Sequence, residues 1–216
     1  MRFSRALLAV PILLVNVVAG AQEFPRAEVG ANYSYGRFIP SRDSRTPFSL
    51  NGGGGSLVVN INEFLGIKMD LQGYKSTTRE FVIPASVNFP SGAQGSVSGD
   101  LFTYLFGPEI KVRAHKLQPF GHILFGAAHS NVYGNAYKTI CQPIAGGCAF
   151  KGSPASDAFA MAVGGGLDIP INHVISFRPA EADYLLTHFT NQFANNVQNN
   201  FRYSAGVLFS FGHTTY

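Results

Sequence analysis

The alternation of apolar and polar side chains constrains the fold of this chain more than any other feature. Between Ala27 and Gly36, apolar residues alternate with polar or small residues. A period of two is typical of a β-strand whose two faces meet different surroundings. Seven later segments repeat it, at about residues 56–62, 65–72, 102–113, 117–130, 158–169, 176–184 and 202–211. No apolar helical segment follows Ala21, so the sequence predicts an all-β fold of eight strands.

The connections between these strands alternate in length. About seventeen residues follow the first strand, two or three the second, some two dozen the third and three the fourth. A long segment at 131–156, a short one at 170–173 and an Asn-rich one at 187–200 continue the series. In an up-and-down barrel, long loops then gather at one end and tight turns at the other, as in outer-membrane barrels. We predict an eight-stranded antiparallel up-and-down transmembrane β-barrel over residues 22–216, with four long extracellular loops.

The N-terminus has the composition of an export signal. Arg2 and Arg5 precede a mainly apolar run over residues 6–18, and Ala19-Gly20-Ala21 follows it. This run is shorter than the roughly 20 residues that a membrane helix needs, and an A-x-A site follows it. The sequence therefore predicts a signal peptide over residues 1–21 and export of the rest.

Alternation alone leaves a soluble calyx, with the apolar face inside, as an alternative to a membrane barrel. Only 13% of the residues are charged, and Gly, Ala and Ser crowd the polar face, which suits the narrow interior of an eight-stranded barrel. Aromatic residues cluster near the strand ends, as in the two belts of a membrane barrel: Tyr33, Tyr35, Phe102, Tyr104, Tyr184 and Tyr203 towards the loops, and Phe64, Phe209 and Phe211 towards the turns. We therefore expect the barrel to lie in the outer membrane.

The polar face carries charges of both signs, five positive and six negative: Lys68, Lys111, Arg113, Arg178, Arg202, Glu28, Asp70, Glu109, Asp168, Glu181 and Asp183. Isolated ions in a narrow lumen are costly, so a nearly balanced set predicts paired networks. An ion path would need unpaired or one-signed charge and a wider barrel. We expect a closed lumen that conducts ions poorly.

Two strands depart from simple alternation, and a glycine run precedes the second strand. Ser176 and Arg178 have one parity and Glu181 and Asp183 the other, which predicts a β-bulge at Pro179–Ala180. In the fifth strand either Ile123, Phe125 and Ala127 or Phe120, Leu124 and Ala128 face outward, and the first set sends His122 and Gly126 inward. Residues 52–55 are four glycines without the Lys-Ser/Thr ending of a phosphate loop, so they are interpreted as a flexible loop entering the second strand.

The chain has two cysteines, Cys141 and Cys148, within the third long loop. No His, Cys, Asp or Glu lies between them, whereas a metal site would need further ligands. In an exported protein this pair predicts a disulfide that joins the two ends of the loop tip. No metal site and no cofactor are predicted.

Several segments together resemble the small OmpA-like and OmpX-like outer-membrane barrels: Leu117 to Gly121, Gly164 to Asp168, Glu181 to Tyr184, and the closing strand from Arg202 to Phe211. The resemblance implies an eight-stranded barrel that the barrel-assembly machinery inserts into the outer membrane. It also implies roles that range from membrane integrity to surface adhesion. The aromatic closing strand, with Tyr203, Val207, Phe209 and Phe211, is the expected assembly signal.

No set of residues predicts an enzyme active site. His129 and Ser130 lie near the upper end of the fifth strand, where barrel acyl hydrolases have their catalytic histidine and serine. In those enzymes the two residues share one face of the strand, whereas adjacent residues such as His129 and Ser130 point to opposite faces. The sequence favours a structural or surface-interaction role, and the alternatives are a lipid A deacylase-like hydrolase and a small pore. Expected partners are outer-membrane lipid or lipopolysaccharide and the barrel-assembly machinery. A monomer is expected. No run of Lys or Arg suggests nucleic acid.

Overall fold

The computed structural model describes residues 24–38, 48–76, 79–83, 93–97, 100–131, 156–191 and 194–214. These residues form ten β-strands: β1 Phe24–Phe38, β2 Phe48–Asn60, β3 Leu65–Ser76, β4 Arg79–Ile83, β5 Ala93–Val97, β6 Asp100–Lys111, β7 Gln118–Ser130, β8 Ser156–Pro170, β9 Ile175–Asn191 and β10 Ala194–Thr214. Across the same residues, no helix is long and apolar enough to span a membrane.

Eight of the strands form a closed barrel in the order β1-β10-β9-β8-β7-β6-β3-β2. Every neighbouring pair is antiparallel, and β1 closes the cylinder against β10. Strands β4 and β5 pair only with each other, as a hairpin in the connection from β3 to β6. The predicted eight-stranded antiparallel barrel is therefore confirmed.

Short turns join β2 to β3, β6 to β7 and β8 to β9 at one end of the barrel. In two of these turns, an asparagine side chain accepts hydrogen bonds from backbone N–H groups. The Asn62 side chain accepts hydrogen bonds from the backbone N–H groups of Phe64 and Leu65 at 2.9 and 2.8 Å. Asn172 does the same for Val174 and Ile175. Asn holds tight turns in this way because its short amide replaces a backbone acceptor.

Two predicted connections were wrong in length. The predicted loop at 187–200 belongs mostly to β9 and β10, which pair as far as Ala194 and Asn191. The first connection spans 39–47 instead of about seventeen residues. A polar composition misled the prediction, because backbone ladder bonds continue wherever two strands remain adjacent, whether or not their side chains alternate.

The four glycines at 52–55 are part of β2 and not a flexible loop. On the lumen side, a Cβ atom at Gly52 would lie 2.1 Å from the Gly73 carbonyl oxygen. At Gly54 it would lie 2.0 Å from the carbonyl oxygen of Leu71. Gly52 and Gly54 are therefore required by the close approach of β2 and β3, which leaves no room for a side chain on the lumen face.

Candidate functional site in the barrel lumen

The outer face of the barrel is apolar, whereas the outer face of a soluble barrel is polar. Strand β6 alternates buried and exposed side chains at every position, with Leu101 5% and Phe102 48% exposed. Large apolar side chains cover the outside, including Val29, Ile67 and Phe106. A wall of this kind suits lipid and excludes the soluble calyx, whose apolar face is internal.

The predicted bulge and the predicted facing of the fifth strand are both confirmed. Ser204 pairs with Glu181 but Gly206 pairs with Arg178, so two residues of β9 stand opposite one of β10. The bulge places both Arg178 and Glu181 inside the barrel. In β7, His122 is buried and Ile123 is exposed, as the preferred set required.

The structure brings the predicted charged residues together in the half of the lumen nearer the turns. Ten of the eleven are buried, and Arg113 lies at the mouth with its side chain 9% exposed. We call these eleven residues together with His122 the ionic layer. Six barrel strands supply ten of the charges, Arg113 lies two residues after β6, and β7 supplies His122.

Glu181 is the centre of the ionic layer. Its carboxylate accepts hydrogen bonds from Lys68 Nζ at 2.9 Å and from Arg178 Nη1 at 2.7 Å. Arg202 Nη2 and His122 Nε2 lie farther away, at 3.8 and 3.9 Å. One acid therefore faces two close cations, which offset the cost of burying its charge.

A second group surrounds Lys111 nearer the turns. Its ammonium contacts Glu28, lies 2.9 Å from Asp168 Oδ2 and 3.7 Å from Glu109 Oε1. Arg113 donates to the other oxygen of Glu28 at 2.7 Å. The pairs between Glu28 on β1 and these two cations of the β6 side run across the lumen and not along the wall.

Arg202 joins the remaining acids. It donates through Nε to Asp183 at 2.7 Å and through Nη1 to Asp70, and its Nη2 forms an ion pair with the same Asp183 oxygen at 2.6 Å. Gln72 donates to the other oxygen of Asp70 at 2.8 Å. The forked guanidinium thus holds carboxylates from β9 and β3 at once.

Phe120 faces the lumen, as the preferred facing of the fifth strand implied, although the sequence analysis assigned it no role there. Its ring is buried, and the Arg178 guanidinium carbon lies 3.9 Å from the ring centroid. Lys68 and Lys111 lie 5.3 and 5.7 Å from the same centroid. The π face therefore contributes to balancing the cations. Strand parity places the ring inside the barrel, but it does not show which cations the ring contacts.

The half of the lumen nearer the loops contains a buried apolar cluster, which the sequence analysis did not anticipate. Buried hydroxyl and amide side chains such as Thr103, Ser130 and Asn200 lie beside it. We call the buried cluster there the apolar layer: Leu50, Tyr74, Leu101, Leu105, Leu124, Ala128, Ala158, Ala160, Ala162 and Leu185. Leu124 and Leu185 are fully buried. These leucines occupy the lumen-facing parity, so the only available signal was their even spacing with the polar residues of the same strands.

Comparison with known proteins identifies the fold. No protein-family model matches the chain, and no curated protein matches it in sequence. Among solved structures, Neisserial surface protein A superposes with a TM-score of 0.55 at 14% identity, covering 86% of this chain and 97% of that one. The chain has the fold of the small outer-membrane β-barrels.

Other solved barrels align over similar lengths. The attachment invasion locus protein Ail of Yersinia pestis has a TM-score of 0.49 at 13% identity, covering 87% of this chain and 99% of Ail. The N-terminal barrel domain of Pseudomonas aeruginosa OprF has a TM-score of 0.43 at 14% identity, covering 88% and 100%. The superposition on Neisserial surface protein A confirms the predicted resemblance to small outer-membrane barrels at the level of the fold, and the apolar outer wall agrees with the predicted outer-membrane location.

The histidine considered for hydrolysis lies on the outer wall of this outer-membrane barrel. His129 Nδ1 lies 2.7 Å from Asp157 Oδ1, and both side chains are exposed. Ser130 is buried and faces the lumen, so the two residues point to opposite faces as predicted. The described outer-wall neighbours of His129 on β6 and β7 are Phe102, Ala127 and Asn131, none of which carries a hydroxyl or thiol.

One group in the ionic layer has metal-ligating residue types. Ligand atoms of His122, Glu181 and Asp183 lie within 4.8 Å of one another. However, Lys68 Nζ is 2.9 Å from Glu181 and Arg202 Nη2 is 2.6 Å from Asp183. Two cations already neutralise these carboxylates, so the cluster suits ion pairing better than a divalent metal.

The other predicted site residues divide into two groups. Tyr203, Phe209 and Phe211 of the closing strand face outward and Val207 is half-buried beside them, on the strand that pairs with β1. Cys141, Cys148 and the signal peptide at residues 1–21 lie outside the described residues, so these remain predictions.

Proposed function

We propose that this protein is a closed, non-enzymatic outer-membrane barrel that holds surface segments on a rigid cylinder. The observation that carries the proposal is the filling of the lumen by two consecutive layers, one ionic and one apolar. An eight-stranded barrel has an interior just wide enough for side chains to fill. A filled cylinder leaves its outer wall and its ends as the places where this protein can meet other molecules.

The cavities support a closed lumen. A cavity of about 10 Å³ lies beside Asp70 and Glu181, which is room for about one water molecule. A wider recess of about 400 Å³ opens at the turn end and is lined by Glu28, Arg113 and His115. The recess ends at the ionic layer, where paired charges replace the water that a channel would hold.

The surface segments are the proposed site of interaction. The hairpin of β4 and β5 lies in the connection between β3 and β6, at the loop end. Its backbone forms a sheet of its own, separate from the barrel. We infer a role in surface contact or membrane integrity, for a monomer inserted by the barrel-assembly machinery through its closing strand.

Conductance of the purified, refolded protein in planar bilayers is the deciding measurement. A closed barrel should give no steady current, although it should show heat-modifiable migration on gels. A large, steady and ion-selective conductance would reject the closed barrel in favour of the pore.

A lipid-hydrolysis assay on the same preparation tests the enzyme alternative, which the exposed His129–Asp157 pair favours. We expect no release of fatty acid from lipid A or phospholipid, and no difference between the wild type and His129→Asn. Hydrolysis that disappears in His129→Asn would establish the enzyme instead.

A further inference from the structure

Two exposed cations stand on the outer wall at the loop end of the barrel. Arg37 follows the outward residues Tyr33 and Tyr35 on β1, and Lys75 lies at the end of β3. Within the described part of the chain, neither has a hydrogen bond or an ion pair. Lys75 pairs in register with Asp100, but Asp100 instead accepts a hydrogen bond from Asn131 at 3.2 Å.

Polar side chains of β2 occupy the wall between the two cations. Ser49 pairs with Arg37, and Asn51 pairs with Lys75. Strands β1 and β3 are separated by the width of β2, and the partners of the two cations on β2 are two residues apart. The Cα atoms of Arg37 and Lys75 are therefore about 12 Å apart. Tyrosine hydroxyls below them bond to the same β2 side chains, at 2.9 Å to Asn51 and 2.8 Å to Ser49.

The wall immediately below this row is apolar and exposed. Tyr33, Leu71 and Phe102 are 60%, 39% and 48% exposed. The change from apolar wall to tyrosine hydroxyls, and then to cations, is the profile of a membrane interface. Cations at that height face the headgroups of the outer leaflet, where anionic lipid attracts Lys and Arg.

The opposite side of the barrel differs in charge at the same height. There, β7 and β8 present the His129–Asp157 pair, and Asp157 is 74% exposed. An anion would meet a carboxylate on that side. On the wall of β1 to β3, by contrast, an anion would meet two cations, an amide and a hydroxyl, and the neighbouring Asp100 carboxylate is engaged by Asn131. Of these two sides, as far as the described residues go, the wall of β1 to β3 has the charge that complements an anion.

We propose that Arg37 and Lys75 bind the phosphate groups of a phosphorylated glycolipid of the outer leaflet, while its acyl chains lie along the apolar wall of β1 to β3. This inference rests on the proposed function, because it requires the loop end to face the outside of the cell. The headgroup is recognised by charge, and Asn51 and Ser49 offer hydrogen bonds between the two cations.

Native mass spectrometry of the refolded protein with added lipid tests the site. The probes are bisphosphorylated lipid A, its fully dephosphorylated form, and phosphatidylglycerol. We expect the wild type to retain bisphosphorylated lipid A in preference to both others. Arg37→Gln or Lys75→Gln should each weaken retention about 5-fold, and the double variant about 30-fold.

The matched control is Arg26→Gln, which removes the same charge from the exposed face of β1 at the turn end. It should retain lipid A as the wild type does. Equal retention of the dephosphorylated lipid, equal retention of phosphatidylglycerol, or an equal loss in Arg26→Gln would each overturn the proposal. Heat-modifiable migration and closed conductance, measured on the same variants, report separately on the barrel, so failure of the lipid site is distinguishable from failure of the proposed function.

Discussion

The two halves of the lumen are closed by different physical means. In the ionic layer, acids and bases from strands across the barrel are held by directed contacts, such as Arg178 Nε on Asp168 at 2.7 Å. In the apolar layer, leucines such as Leu124 and Leu185 meet alanines of β8 without any directed contact. One half therefore depends on charge balance and geometry, whereas the other depends on volume.

This difference predicts two kinds of sensitivity. An ion-pair network fails when one partner is removed, because the remaining charge stays buried without compensation. An apolar cluster loses stability in proportion to the cavity that a smaller side chain leaves. Substitutions of similar size should therefore act differently in the two layers.

The largest effect is expected for Arg178→Met. It removes the partner of Asp168 and Glu181 and the cation stacked on Phe120. Breaking a buried pair in this way typically costs about 3–5 kcal/mol. Urea unfolding of the refolded barrel in lipid vesicles measures it. Arg113→Met, at the partly exposed mouth, is the control and should cost clearly less; equal costs would show that lumen water screens the whole layer.

A smaller loss is expected for Leu124→Ala in the apolar layer. Leu124 is fully buried, so the change leaves a cavity and should cost about 2–4 kcal/mol. The adjacent Ile123→Ala, on the outer wall where Ile123 is 46% exposed, should cost less. Planar-bilayer recordings of Leu124→Ala should remain closed because the ionic layer is intact. A current through this variant would show that the apolar layer is the actual seal.

The smallest effect is expected for Glu109→Gln. Glu109 is buried, yet its oxygens make no hydrogen bond within the described residues, and its nearest cations are 3.5 and 3.7 Å away. Both lysines keep closer acids, so the loss should be about 1 kcal/mol or less. Asp168→Asn removes the same charge but breaks contacts to Arg178 and Lys111, and it should cost several times more. A Glu109→Gln loss as large as that of Asp168→Asn would mean that charge alone matters.

Much of the barrel could be predicted because alternation reports facing directly. A strand with lipid on one side and a packed lumen on the other must change polarity at every residue, and the parity change at Pro179–Ala180 even located the bulge. The charged lumen residues were identifiable for the same reason, since lipid offers no place for them. Their partners were not, because cross-lumen pairs depend on strand tilt and register.

The apolar layer and the glycine run could not be predicted from local pattern. Leu101 and Leu105 share a parity with Glu109, which indicates the lumen, but their hydropathy matches that of the lipid-facing wall. The glycines at 52–55 have no side chains that could report a face. Their role depends on how closely β2 approaches β3, which is a property of the closed barrel and not of either strand.

The contacts that cross the lumen have a consequence for assembly. Glu28 near the start of the barrel meets Lys111 and Arg113 far along the chain, and Arg202 on the last strand meets Asp70 on the third barrel strand. A curled but open sheet would leave these charges unmatched and both edges without ladder partners, which lipid penalises strongly. Half-inserted intermediates should therefore be scarce, so that closure of β1 against β10 and neutralisation of the interior occur as one cooperative event.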